Sequence, residues 1–341
     1  MQELDYKVAQ WWESTDKNKI LCTLCPRYCK IGPGQSGFCY IRQNHNGTLI
    51  TTGYGHPTGF AVDPIEKKPL SHFLPGSTIL SFGTAGCNLG CRFCQNWSIS
   101  KAKLADLQAL EASPEDVVKL AIKHKTPSIA YTYNDPTIFG EYVIDISRIA
   151  REEGIRSVMV TAGYIDKEAR KDVYQYIDAA NVDLKAFTDR FYHKLTFSHL
   201  ADVLDTLIWL KNETEVWIEI TTLLIPDEND SADEIEQMCQ WILENLGDSV
   251  PLHFTAFHPD FKMVDKPRTP NITLKMARDT AIRAGVKYCY LGNIYDQEGQ
   301  TTFCPDCHAP LIVRDWHSIL TNRLTDGICP NCGEKIAGIF N

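Results

Sequence analysis

The run Gly86-Cys87-Asn88-Leu89-Gly90-Cys91-Arg92-Phe93-Cys94-Gln95-Asn96-Trp97 sets three cysteines in a C-x3-C-x2-C spacing on a short glycine-containing loop. Three thiolates within eight residues can ligate three irons of a cubane [4Fe–4S] cluster, since such clusters are held by cysteine sulfur. A fourth thiolate would close the cluster for electron transfer alone. With three, one iron keeps an open position, which metal chemistry on a substrate requires. The competing reading of Cys87, Cys91 and Cys94 is a zinc or structural loop with its fourth ligand elsewhere, because C-x2-C pairs are common zinc elements.

The sequence around the loop decides between the two. The apolar run Ser77–Phe82 leads straight into it, and from there strand-like and helix-like segments alternate. Ser113-Pro114-Glu115-Asp116 opens a helix with an N-cap serine, a proline at the first helical position and an acidic first turn. The pattern predicts further strands at 128–133, 156–160, 181–184, 216–224, 252–257 and 288–291. It predicts helices at 138–153, closed by Gly154, and at 166–177, 200–210, 232–243 and 273–284. Repeated strand–helix units imply an α/β fold with a parallel sheet and right-handed crossovers. In parallel barrels, chemistry gathers at the C-terminal ends of the strands. Here those ends carry the cysteine loop, Asn134-Asp135-Pro136, Thr161-Ala162-Gly163-Tyr164, Asp183 with Lys185, Thr221-Thr222, His258 and Asn293. Polar and small residues at seven strand ends, against apolar strand interiors, favour a reactive barrel mouth over an isolated zinc loop.

At 341 residues the chain is long for one domain. It divides into a cysteine-rich extension (1–72), a barrel core (73–298) and a terminal cysteine element (299–341). No apolar run approaches the ~20 residues of a membrane span, and Met1–Thr15 lacks the features of a signal peptide. A net charge of −9 weighs against nonspecific nucleic-acid binding, which needs a basic footprint. Eleven of the 13 cysteines fall into three clusters, and Cys239 and Cys289 sit alone on apolar segments as small hydrophobes. Clustered C-x2-C cysteines indicate metal ligation in a reducing compartment, here the cytoplasm.

Cys22, Cys25, Cys29 and Cys39 lie in a loop-rich knob that needs a staple, and four thiolates fit either a closed zinc site or an auxiliary Fe–S cluster. Asn46-Gly47 is a hairpin turn signal. Glu66, Lys67, Lys68 and His72 fall in a stretch that reads as a solvated connection to the first core strand, although a lysine or histidine there could reach the substrate side. Cys304, Cys307, Cys329 and Cys332 form two C-P-x-C knuckles that read as a zinc ribbon, with a rubredoxin-like iron or second Fe–S cluster as the rival. His308, beside Cys307, reads as a surface residue.

The cysteine loop, with Phe93 as its aromatic, resembles the C-x3-C-x-aromatic-C signature of the radical S-adenosylmethionine (SAM) superfamily. Further stretches resemble its pyruvate formate-lyase activating-enzyme branch, and more narrowly the AmmeMemoRadiSam system family. They are C-T-L-C-P-R-Y-C (22–29), D-P-I-E-K-K-P-L-S-H-F (63–73), Y-T-Y-N-D-P-T (131–137), V-T-A-G-Y (160–164), D-L-K-A-F (183–187), T-A-F-H-P-D-F-K-M (255–263) and the terminal ribbon. The resemblance implies a partial (β/α)6 radical SAM barrel, with an N-terminal four-cysteine knob and a C-terminal zinc-ribbon-like element. It implies a [4Fe–4S] cluster at Cys87, Cys91 and Cys94 whose open iron chelates SAM, together with Zn2+ in the terminal element.

The reaction implied is reductive cleavage of SAM to a 5′-deoxyadenosyl radical, followed by hydrogen abstraction. Activating-enzyme relatives act on a protein, which implies a polypeptide substrate. The rival classes are radical chemistry on a small molecule, and an Fe–S or zinc protein without SAM chemistry. By the same resemblance Phe93 contacts the adenine, and Asn134 and Asp135 lie at the methionine end, where relatives usually carry glutamate at 135. Thr161 and Gly163 line the ribose side, where relatives often read T-N-G. Asp183 and Lys185 hold the SAM carboxylate region or the polar surroundings of the radical, with Lys185 as a catalytic candidate, and His258 lies near the ribose or adenine. Expected partners are a flavodoxin- or ferredoxin-like electron donor and Memo-like and AMMECR-like proteins.

Overall fold

The computed structural model describes residues 6–341. Its central sheet begins with an antiparallel edge strand, β1 (Thr58–Pro64), paired with β2 (Thr78–Gly83). From β2 the strands run parallel, each beside the next: β3 (Ser128–Tyr131), β4 (Arg156–Thr161), β5 (Ala179–Asp183), β6 (Trp217–Leu224), β7 (Leu252–Ala256) and β8 (Cys289–Gly292). Six crossovers carry α1 (Pro114–His124), α2 (Gly140–Glu152), α3 (Ala169–Val173), α4 (Leu200–Glu213), α5 (Ala232–Leu246) and α6 (Asn271–Ala284). Strand order follows chain order, and β1 and β8 are unpaired outer edges, so the barrel is open. Val160 on β4 and Tyr290 on β8 line the same cavity, which requires the sheet to curl.

Most elements fall where the alternation predicts. Ser113 and Asp116 make the reciprocal capping bonds of α1, at 3.2 and 3.0 Å. The exception is α3, expected over 166–177 and formed over five residues. Tertiary bonds claim its start: Asp166 donates its amide to the Leu24 carbonyl (3.0 Å) and accepts from the Tyr28 hydroxyl (2.5 Å). The edge strand β1 also lies in a region read only as short strands and turns.

Most of the stretch read as a solvated connection is buried, Glu66, Lys68 and His72 included, and Lys67 alone of the four stays exposed. Ile65, Leu70 and Phe73 pack with the inward residues Ile79, Ala130, Val158 and Ala179 of β2 to β5, and so floor the barrel. Glu219 on β6, itself fully buried, accepts from the amides of Ser71 (2.9 Å) and His72 (2.8 Å). Lys67 and Lys68 both pair with Asp63, at 2.8 and 2.7 Å. The periodicity hid this because burial here is set by the floor's apolar residues and by non-local charge pairing, neither of which has a local pattern.

The C-terminal element closes the seam. Arg314 donates to the Ser71 carbonyl (2.7 Å), and the Ile339 amide donates to the His72 carbonyl (2.7 Å). Tyr288 and Tyr290 at the end of the sheet share a core with Leu311, Ile312 and Ile336. At the other end, two three-stranded sheets form the N-terminal piece, one containing the expected Asn46-Gly47 turn. Arg42 grips Glu141 of α2 through two bonds of 3.0 Å, with both side chains 1% exposed. Among the described residues no helix is long and apolar enough to cross a membrane.

His72 carries a pH prediction. Its Nδ1 faces the Ala337 carbonyl (2.6 Å) and so holds the proton, while Nε2 accepts from the Tyr290 hydroxyl (2.5 Å). Burial pushes its pKa from 6.5 down to about 4, although Glu219 opposes the shift. Between those values the unfolded chain binds the extra proton, so stability should rise with pH from about 4 to 6.5. Denaturant midpoints across that range should slope upward in the wild type, and the slope should flatten in His72→Gln.

Candidate active site

The thiol loop leaves β2 and is tied down on both sides. Asn134 accepts from the Thr84 amide (3.0 Å) and donates to the Gly86 carbonyl (2.8 Å) and Thr84 Oγ1 (3.1 Å). Gly86 has φ +81°, and a Cβ there would lie 1.9 Å from the Cys39 carbonyl oxygen, so only glycine fits. The Gly90 and Arg92 amides donate to the Thr196 (2.8 Å) and Leu195 (2.9 Å) carbonyls. Arg27 donates to the Asn88 carbonyl, and Lys101 to that of Leu89.

Held this way, Cys87, Cys91 and Cys94 line one cavity of about 140 Å³ together with Asp135, Thr161 and Lys185. Burial pushes the Cys91 thiol up to about 12 against the pull of Lys185, so its thiolate calls for a cationic partner. The three sulfurs do not crowd within the 4.8 Å that one ion would allow. A cubane several ångströms across holds its sulfurs wider apart than a single ion does, and three soft thiolates are an iron–sulfur donor set. The residues present therefore fit such a cluster.

The other predicted residues divide by what they touch. Lys185 Nζ sits 2.8 Å from Asp183 Oδ2, and both face the thiol cavity. Burial opposes the ammonium charge, but Asp183 and Cys91 more than offset it, and the Lys185 pKa is raised. Phe93 is buried against Phe191, with ring centroids 5.5 Å apart, and lines a neighbouring cavity of about 240 Å³ with Cys91, Asp183 and Lys185. Asp135 is heavily engaged: it accepts from the Thr137 amide (3.0 Å), the Ala162 amide (2.8 Å) and Thr161 Oγ1 (3.2 Å to each oxygen). It joins the ends of β3 and β4, as Asn134 braces the loop. The Gly163 amide donates to Thr161 Oγ1 (3.1 Å), continuing the same network. His258 is exposed at the rim, 3.0 Å from Gln95 Nε2, and lines none of these cavities.

Two residues missed by the sequence reading stand at the centre. Asn96 and Tyr133 line both cavities, and the Asn96 amide donates to the Tyr133 carbonyl (3.0 Å). Tyr133 has φ +70°, strained for a bulky residue and of a kind that clusters at functional sites. Its position just before Asn134 was the only available signal. Thr221 Oγ1, at a predicted strand end, is buried without a partner in the second cavity.

The two outer cysteine sets differ. Cys304 and Cys332 sulfurs lie 3.5 Å apart and those of Cys307 and Cys329 3.7 Å, all four within 4.8 Å. Four sulfurs ~2.3 Å from one tetrahedral ion sit ~3.8 Å apart, so this set fits a closed single-ion site. His308 contributes only a backbone bond, its amide to the Cys304 carbonyl (3.1 Å). Among the described residues no three of Cys22, Cys25, Cys29 and Cys39 come that close. The N-terminal quartet, like the thiol loop, is therefore not gathered about a single-ion position, and zinc and an auxiliary cluster both stay open for it.

Residues 82–242 match the family described as the Radical SAM superfamily. The chain is 43% identical over 330 residues to an uncharacterized protein of Methanocaldococcus jannaschii, covering 96% of this chain and 98% of that one. It is 23% identical over 183 residues to the pyruvate formate-lyase-activating enzyme of Clostridium pasteurianum, covering 51% of this chain and 72% of that one. Among solved structures it is similar in fold to a radical SAM methyltransferase from Sphaerobacter thermophilus. There the TM-score is 0.52 and the identity 17%, over 64% of this chain and 67% of that one.

Proposed function

Because the chain belongs to the radical SAM superfamily, we propose that it uses SAM at the Cys87, Cys91 and Cys94 loop to start a hydrogen abstraction. The observation that carries this is the set of three thiols lining one cavity with the Asp183–Lys185 pair. When bound, the cluster supplies one electron from an external donor, which splits SAM into methionine and a 5′-deoxyadenosyl radical that takes a hydrogen atom from the substrate. The chain's own residues bind, orient and exclude water. The thiolates leave one coordination position open, Lys185 offers an ammonium to the SAM carboxylate, and Phe93 offers a ring to the adenine. Anaerobic reconstitution, reduction and SAM addition should yield 5′-deoxyadenosine. None from a fully loaded protein would leave the reading of a metal protein without SAM chemistry.

The finer assignment is the activating-enzyme branch and, within it, the AmmeMemoRadiSam system family, supported by the sequence runs that span the chain. On that reading the donor is flavodoxin- or ferredoxin-like, and Memo-like and AMMECR-like proteins are proposed partners. A polypeptide substrate is the branch's implication.

Two predictions follow from the site. Lys185→Gln should weaken SAM binding by about tenfold or more, the loss of one charge-assisted hydrogen bond, at unchanged iron content. Equilibrium binding to the reconstituted protein reads this out, and unchanged affinity would remove Lys185 from the SAM site. We take the N-terminal quartet, whose sulfurs do not gather within single-ion distance, to hold an auxiliary cluster. Loaded protein should then hold about eight irons, four in each of two clusters, and about one zinc at Cys304, Cys307, Cys329 and Cys332. Metal analysis finding two zincs and a single cluster would reverse the N-terminal assignment.

A further inference from the structure

Beyond the thiol cavity the barrel interior continues into a second chamber of about 410 Å³. Asn96, Tyr133 and Val160 line both spaces, which makes them contiguous. The chamber wall includes none of the three cysteines, and it draws Glu66, Lys67 and Lys68 from the floor segment and Arg314 and His317 from the C-terminal element. The chemistry of SAM cleavage uses none of these side chains.

Two features of that wall point to a ligand. Arg314 Nε and Glu66 Oε2 have no hydrogen-bond partner, although the residues are 2% and 8% exposed. Buried polar atoms left unpartnered are costly and rare. The Arg314 Nη atoms are already engaged by Gln300, Thr302 and Ser71, which fixes the guanidinium with Nε turned to Glu66, 3.8 Å from its Oε1 and beyond hydrogen-bond reach. The charge is also unbalanced. Glu66 is the only carboxylate among the lining residues, and Lys67 and Lys68 share the single carboxylate of Asp63 behind them. Three cations thus meet two carboxylates. A third acid, Glu219, is closed off by His253, Trp217 and two backbone amides.

We propose that this chamber is the substrate site and takes a small molecule bearing a carboxylate or phosphate, with that oxyanion against Lys67, Arg314 and His317. The proposal rests on the radical reading above and, in taking a small molecule, sets aside the polypeptide substrate that the branch implies. A volume of about 410 Å³ lies in the range of ~300–1,000 Å³ that small ligands occupy. The far wall is built from the two segments that seal the barrel.

The test compares fractions of an extract from cells that naturally express the protein. Reconstituted, reduced enzyme is given SAM, and 5′-deoxyadenosine is measured alone, with the small-molecule filtrate and with the macromolecular retentate. The filtrate should raise formation above the basal rate, and passing it over an anion exchanger should remove that effect. Lys67→Gln should raise the filtrate concentration for half-stimulation about tenfold, judged against that variant's own basal rate. Lys67 is chosen because its side chain is 51% exposed, whereas Arg314 also holds the seam together. Stimulation by the retentate alone, by neither fraction, or by a filtrate component the exchanger does not hold would overturn the proposal. An absent basal rate would instead sink the radical reading, and the proposal with it.

Discussion

Replacing Cys91 by alanine is expected to reduce 5′-deoxyadenosine formation to background and to leave the protein folded. The site cysteine is buried, but its neighbours Gly90 and Arg92 are held by backbone bonds to Thr196 and Leu195 that do not involve the sulfur. The loop should therefore keep its path with one ligand missing. Two remaining thiolates cannot hold three irons of a cubane, so iron content at this site and the signal of the reduced cluster should fall together with turnover. Far-ultraviolet dichroism and the denaturant midpoint should stay near wild type, which separates loss of a ligand from loss of fold. Retained SAM cleavage in Cys91→Ala would refute the assignment of the loop. The same variant distinguishes a zinc loop, since zinc loss would leave no electron-dependent product to lose.

Glu141→Ala is expected to cost about 3–5 kcal/mol of stability, because it strands a buried guanidinium. Arg42 and Glu141 meet through two 3.0 Å bonds with both side chains 1% exposed, and the Gln10 amide donates to the same carboxylate (2.7 Å). Removing both charges, as Arg42→Met with Glu141→Leu, should recover much of that loss, since an apolar pair of similar volume avoids the desolvation cost. Denaturant unfolding of the single and double variants reads the difference. Equal destabilisation by both would show that packing rather than charge docks the N-terminal piece. Cluster retention should follow the same order, because that piece puts the Cys39 carbonyl against Gly86, next to Cys87.

What the sequence made legible was local chemistry. The thiol loop, the capping residues of α1 and the polar strand ends are signals carried within a few residues, and the structure brings Asp183, Lys185, Asp135 and Thr161 to one cavity. What it concealed depends on distant partners. Glu66 and Lys68 looked like solvent-facing charges until Arg314 and Asp63 were placed beside them. Asp135 looked free to meet an amine, yet Thr137, Thr161 and Ala162 engage both its oxygens. Tyr133 could not be singled out, because a left-handed backbone at a strand end leaves no mark in composition. The N-terminal and C-terminal cysteine sets both offer four thiolates and differ in how closely the fold draws their sulfurs together.

The closed seam has a consequence for biosynthesis. Each parallel strand pairs with its neighbour in the chain, so the sheet can assemble progressively as the polypeptide emerges. The contacts that complete the barrel wait for its last part: Ser71 for Arg314, 243 residues later, and His72 for Ala337, 265 residues later. Until those residues are made, the nascent chain presents an open trough whose thiol loop is already formed.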